Sequence, residues 1–327
     1  MVSAQRWWFL LLVLPLLTGC LTFQQRPVDF GLLPKDYVRL GAQRRRIRIY
    51  EQGRRGNPAV VFLHGYGSAG SIWRFLMPEL VKQGYYTLAL DLPGFGRSDK
   101  YKGNYDTRYI ADQVAEVMRL KGIKKADIIA HSWGSSVTLA LALRHPEKVR
   151  RLVIHSGWVF SSQIVPVLRW SRVPGIGEVV YALFFNERPG EKFASAVYDQ
   201  RLVSQRVIHQ IREDAKRPGH LAAALAVARG MNFKGMEKKY RTLHNKALLI
   251  WGRQDRVSLP FYGRRLESIL RNSRLHLLDR CGHIPMIERR SQNNALVVRF
   301  LGPASKLRSP LKRADVSLKT SAVKGDR

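Results

Sequence analysis

Apolar residues along this chain gather in short unbroken runs, separated by longer stretches with helical spacing. The runs fall at 47–50, 59–63, 86–90, 127–130, 152–154, 247–251 and 275–278. Several are continuous rather than alternating, as expected of strands in a parallel sheet covered on both faces. Between them Ile110, Val114, Val117 and Met118 recur at helical intervals, as do Val137, Leu141 and Ala142. Strand–helix alternation predicts a parallel, doubly wound α/β sheet. The rhythm breaks once, between the runs near Ile154 and Leu249. A single crossover does not need that length. The interval carries helical patterns at 166–170, 179–185 and 221–229, so residues 159–243 are expected to form an inserted helical cap. The core is then split into 36–158 and 244–302.

Both ends have a different character. The chain opens MVSAQRWWFLLLVLPLLTGC. Arg6 supplies a positive start, and residues 7–17 form an apolar stretch too short to span a bilayer comfortably but suited to a signal peptide. The sequence Leu17-Thr18-Gly19-Cys20 resembles a bacterial lipobox. That resemblance implies removal of residues 1–19 and lipidation of Cys20, with 20–35 as the lipidated N-terminus and linker. Acyl chains contribute about 0.8 kcal/mol per buried CH₂, enough for several chains to hold a protein on a membrane. Leu21 follows the cysteine, which in a Gram-negative cell implies the periplasmic face of the outer membrane. At the other end, 303–327 is rich in Lys and Arg without an apolar period and is expected to be a disordered basic tail. Cys281 is the second of two cysteines. With Cys20 lipidated, no structural disulfide is expected.

Charge changes the picture of partners. The 327 residues include 56 Lys+Arg against 24 Asp+Glu, a net charge of +32. Such an excess attracts anionic surfaces, whether phospholipid, lipopolysaccharide or nucleic acid. No nucleic-acid-binding module is recognisable, and the basic residues are spread along the whole chain, so a generally cationic surface explains the charge as well as a specific partner does.

The chemistry is concentrated after the strand runs. The run 127–130 leads into His131-Ser132-Trp133-Gly134 and then a helical stretch, the context of a nucleophile elbow. A sharp strand-to-helix turn lifts the serine hydroxyl above the sheet, and its neighbours two positions away must be small. Gly134 meets that need; Ala130 stands where glycine is more usual. The run 59–63 ends in His64-Gly65-Tyr66-Gly67, a turn that can direct the Tyr66 N–H inward beside the Trp133 N–H. Together they would hold the oxyanion of a tetrahedral intermediate, and loss of one such donor typically costs about 3 kcal/mol. The segment 91–98 (DLPGFGRS) follows another strand and reads as architecture, with Asp91 outside catalysis. Asp255 follows the run 247–251, and His283 follows the last run. The order Ser132, Asp255, His283 gives a hydroxyl, an imidazole that takes its proton, and a carboxylate that orients the imidazole.

With these four motifs in order, residues from about 58 to 300 resemble the α/β-hydrolase superfamily, in its branch of capped esterases, C–C bond hydrolases, epoxide hydrolases and proline iminopeptidases. The resemblance implies a mostly parallel eight-stranded sheet flanked by helices, with Ser132, Asp255 and His283 catalytic and no metal or organic cofactor. Serine at the elbow argues against the epoxide hydrolases, which use Asp there. The expected activity is hydrolysis of a carboxylic ester, small or lipidic, through an acyl-enzyme on Ser132. Alternatives are an iminopeptidase-like enzyme, for which Glu178, Glu187, Glu191 and Asp199 are available to bind an amine, a C–C bond hydrolase acting on a diketone, or a non-catalytic lipoprotein that binds polyanions. Among other candidates, Cys281 reads as a buried thiol and His155 as a core or cap contact. Asp279 would replace Asp255 only if the latter pointed away. Trp73, Trp133 and Trp158 are candidates to line a pocket.

Overall fold

The computed structural model describes residues 34–179, 189–203 and 205–307. Residues 1–33, including the expected signal peptide and Cys20, lie outside them, as do Glu187 and most of the 179–185 stretch.

Eight strands form one sheet: β1 (Tyr37–Leu40), β2 (Arg45–Gln52), β3 (Ala59–Leu63), β4 (Tyr86–Leu90), β5 (Ala126–His131), β6 (Val149–His155), β7 (Lys246–Gly252) and β8 (Ser273–Leu278). Their spatial order is β1-β2-β4-β3-β5-β6-β7-β8. Only β2 runs against its neighbours; from β4 to β8 every pairing is parallel. The sheet is thus mostly parallel and eight-stranded. Every residue of β3, β4 and β5 is buried, so the unbroken apolar runs follow from helices covering both faces. β1 has no counterpart among the apolar runs of the sequence.

The helices are α1 (Met77–Lys82), α2 (Thr107–Leu120), α3 (Trp133–Arg144), α4 (Pro166–Trp170), α5 (Pro189–Ala196), α6 (Gln205–Ala215), α7 (His220–Gly230), α8 (Lys234–Glu237), α9 (Pro260–Ile269), α10 (Pro285–Glu288) and α11 (Arg290–Leu301). Asp106 caps α2 by accepting from the Arg108 N–H at 2.9 Å, and Ile110, Val114, Val117 and Met118 form its buried face. α3 is buried nearly all round, as its sequence VTLALAL demands of a helix at the centre of the molecule. Helices α4 to α8 lie between β6 and β7, within the interval expected to form the cap. The chain stays ordered past residue 302: Ala304 is buried and its N–H donates to the Gln83 carbonyl at 2.9 Å. Residues 308–327 lie outside the described residues.

Two core clusters flank the sheet. One is built around α2, α3 and the cap helix α7; the other contains Trp73, Tyr85 and the buried face of α11. His64, Ser132, Asp255 and His283 all follow parallel strands, so they emerge at one edge of the sheet, where α/β folds place their sites.

Candidate active site

Ser132 lies between β5 and α3 with φ +50° and ψ −124°, a backbone conformation an L-residue adopts only under constraint. Backbone bonds on both sides of the residue hold it there, and the Ser135 N–H adds one to the Ser132 carbonyl at 2.9 Å. The Ser132 N–H donates to the His155 carbonyl at 2.9 Å, and the Ser132 carbonyl accepts from the Trp158 N–H at 3.0 Å. The turn closes because Gly134 lacks a side chain: a Cβ there would lie 2.4 Å from the His64 oxygen. Gly65 is equally constrained, since its Cβ would meet the Ser132 Cβ at 2.9 Å. These approaches bring the loop after β3 against the elbow. Neither the Tyr66 nor the Trp133 N–H is taken up by a backbone carbonyl among the described residues, as an oxyanion-binding pair would require. Trp133 is the first residue of α3, so its N–H is free of the helix ladder.

The imidazole and its carboxylate meet from two further loops. His283 Nδ1 lies 3.0 Å from Asp255 Oδ2. Asp255 is itself fixed: its Oδ1 accepts from the N–H groups of Val257 and Ser258, both at 2.9 Å. With Nδ1–H donating to Asp255, the other ring nitrogen of His283 keeps its lone pair, as a general base requires. The ring of His131, the residue before Ser132, lies 4.8 Å from that of His283. His131 Nε2 donates to the His283 carbonyl at 2.8 Å. Burial, with the neighbouring His283, pushes the His131 imidazole well below its usual range, so it stays neutral and adds no positive charge beside His283. Ser132, Asp255 and His283 are all nearly buried, at 5%, 2% and 6% exposure. Low dielectric strengthens every charge interaction among them. This arrangement can deprotonate a hydroxyl, stabilise an oxyanion and return a proton to a leaving group.

Residues 58–290 match the alpha/beta hydrolase fold family. The chain belongs to it. Relatives within the family carry more specific names. One, 2-hydroxymuconate semialdehyde hydrolase from Pseudomonas sp. (strain CF600), is 30% identical over 257 residues, covering 75% of this chain and 87% of its own. A solved meta-cleavage product hydrolase from Pseudomonas fluorescens IP01 superposes with a TM-score of 0.67 at 26% identity, covering 79% of this chain and 94% of its own. An epoxide hydrolase superposes with a TM-score of 0.71 at 19% identity, covering 83% of this chain and 99% of its own; that likeness speaks for the fold alone.

The remaining candidates take structural places in this hydrolase. Asp279 is exposed and paired with Arg253, away from His283. Asp91 is buried and accepts from the Gly70 and Arg97 N–H groups at 2.7 and 2.8 Å. His64 props its own loop: Nδ1 donates to Gly65 O at 2.7 Å, and Nε2 accepts from the Leu92 N–H at 2.8 Å. His155 packs behind the elbow, with Nε2 2.7 Å from Asn293 Oδ1. Burial holds both imidazoles down at about 4. Cys281 is fully buried, and burial drives its thiol far above the ordinary range. Trp73 packs against Phe62 and His155 in the core rather than lining a site. Trp133 meets Phe95, and Trp158 is half-buried beside Ser132. In the cap, Glu178, Glu191 and Asp199 pair with Arg229, Arg212 and Arg201. No group of three His, Cys, Asp or Glu side chains among the described residues is arranged to hold a metal ion. The sequence reading assigned no role to His131 or Glu288; the only signal was their nearness to Ser132 and His283 in the chain.

Proposed function

We propose that this hydrolase cleaves a carbon–carbon bond beside an aldehyde or ketone carbonyl in a conjugated, meta-cleavage-type substrate. What carries the reading is the 30% identity to a 2-hydroxymuconate semialdehyde hydrolase over most of both chains, combined with a serine rather than an aspartate at the elbow. In this mechanism the Ser132 hydroxyl adds to the carbonyl carbon and its proton passes to His283. The oxyanion accepts from the Tyr66 and Trp133 N–H groups. The carbon–carbon bond then breaks, its electron pair enters the conjugated chain, and His283 returns the proton to that carbon. Water releases the acyl group as a carboxylic acid. Asp255 holds the imidazole in one tautomer and stabilises its charged form.

Hydrolysis of a carboxylic ester uses the same triad and oxyanion pair, with an alcohol as leaving group, and is the second reading. The iminopeptidase-like reading loses support, because Glu178, Glu191 and Asp199, the candidates to bind an amine that the structure describes, are paired with arginines. The deciding assay compares kcat/KM on 2-hydroxymuconate semialdehyde with that on a series of p-nitrophenyl esters. We expect the semialdehyde to be preferred, and Ser132→Ala to lose at least about 10³-fold in kcat. A preference of 100-fold for any ester would transfer the assignment to esterase. Unchanged turnover in Ser132→Ala would remove Ser132 from the mechanism.

The membrane address of this enzyme is likewise a proposal, resting on residues 1–20. Lipidation of Cys20 would tether the enzyme to the envelope, and its positive charge would favour anionic lipid. Cys20→Ala should move the protein from the membrane pellet to the soluble fraction. An unaltered distribution would count against lipidation.

A further inference from the structure

Of the side chains outside the triad that hold the loop carrying His283, one also reaches the segment between β6 and β7. Glu288, 5% exposed, stands at the end of α10, five residues beyond the histidine. Its Oε1 accepts from the Ile284 N–H at 2.9 Å, and its Oε2 accepts from the Gly282 N–H at 2.8 Å. The residues on either side of His283 are therefore held by a single carboxylate. The same Oε2 accepts a third bond, from the Tyr198 N–H at 2.7 Å. Tyr198 belongs to the segment that leaves α5, within the excursion between β6 and β7. A fourth bond closes the circuit: the His283 N–H donates to the Ala196 carbonyl at 2.8 Å. Close approach is possible only because residue 282 is glycine, whose Cβ would stand 2.5 Å from the Ala196 oxygen and 2.8 Å from the Tyr198 nitrogen.

The other polar groups of this loop are also accounted for. The Cys281 N–H donates to Gln254 Oε1 at 3.1 Å, and the Cys281 carbonyl accepts from the Gln254 N–H at 3.0 Å. Gln254 is the neighbour of Asp255, so this pair ties the histidine loop to the acid loop. Glu288 does something different: it ties the histidine loop to the cap.

We propose that Glu288 is a positioning residue that locks the catalytic base to the foot of the cap, residues 196–198, so that His283 is in register with Ser132 only when that foot is seated. This rests on the triad reading above. The geometry explains why a carboxylate is required. Three N–H donors converge on it, and both its oxygens are pure acceptors. A glutamine would offer one acceptor oxygen and turn an NH₂ group toward a backbone N–H, leaving a buried donor unmet. An aspartate keeps the charge but is one methylene short of spanning both loops.

The test uses the full chain and four proteins: wild type, Glu288→Gln, Gly282→Ala and the double variant. Each is titrated to completion with a fluorophosphonate, so that kcat is counted per reactive serine and a misfolded fraction drops out. Misplacing a reacting group by about 1 Å can cost on the order of 100-fold in rate. We expect Glu288→Gln to label fully at its endpoint yet lose kcat by roughly that factor. Gly282→Ala, which pushes the cap foot away while sparing the carboxylate, should lose a similar factor. Because both break one linkage, the double variant should fall no further than the worse single variant. Should Glu288→Gln fail to fold, Glu288→Asp takes its place with the same expectation. Wild-type kcat per labelled site in the Glu288 variant would overturn the proposal, as would losses that multiply in the double variant. A wild-type enzyme that does not label at Ser132 would instead overturn the triad reading, before Glu288 is touched.

Discussion

Gly134 sits where a Cβ would lie 2.4 Å from the His64 carbonyl oxygen and 2.7 Å from that of Leu63. Both obstacles are backbone, and neither can rotate away. Gly134→Ala should therefore push the elbow off the loop after β3 and separate the Tyr66 and Trp133 N–H groups. We expect kcat to fall about 10²-fold, as when one oxyanion donor is lost, with a smaller change in KM. Steady-state kinetics on titrated enzyme would show it, and an unaltered kcat would mean the two donors do not act together. Ala130 raises no such problem, because it is buried in β5 before the turn begins. At this scale the sequence is informative about which candidate side chains stand after the strands, and the structure brings Asp255 and His283 together. Ser132, Asp255 and His283 are each announced by a strand and a turn. Glu288 was illegible for a physical reason: its three partners are backbone N–H groups, which have no residue signature, and one of them belongs to residue 198.

The central strands were the most legible elements, since burial on both faces writes an unbroken apolar run. β1 escaped because it pairs at the edge and alternates instead: Val38 and Leu40 are buried while Arg39 is exposed. In a stretch so rich in arginine, a four-residue alternation is easily lost. The interval between β6 and β7 stands out in the sequence by its length, although nothing in it says which of its residues touch the core. Strand contents also include one costly feature. Asp127, fully buried in β5, receives Arg150 and Arg151 from β6, with contacts of 2.9 Å and 2.7 Å to its Oδ2. Arg151 reaches on to the Leu301 carbonyl at 2.8 Å, joining the sheet to the end of α11. Removing one partner of a buried ion pair strands the other. Asp127→Ala should cost about 3 kcal/mol in urea unfolding. A loss below about 1 kcal/mol, the scale of a surface pair, would show that the network contributes little.

For the molecule as a whole, the buried histidines set the response to acid. His64 and His155 take up a proton in the fold only near pH 4, because burial disfavours the charged ring. His131 is lowered as well, for the same reason. In the unfolded chain an imidazole protonates near 6.5. Between those limits the unfolded state binds more protons, so stability is complete above about pH 6.5 and declines as pH falls toward 4. Each of His64 and His155 should remove roughly 3 kcal/mol by the bottom of that window. Thermal midpoints at pH 7 and pH 4.5 would measure the decline, and equal midpoints would refute it.

The grip of Glu288 on Gly282, Ile284 and Tyr198 also bears on how this scaffold could be re-engineered. Exchanging the whole excursion after β6 for one from another enzyme is an attractive route to new selectivity, since the sheet and its proton-handling groups would be left alone. Here such a transplant would cut the strap that keeps the imidazole aligned. A chimera that carries over residues 196–198 together with Glu288 should inherit a working engine, whereas one that discards them would receive a new glove on a loosened hand.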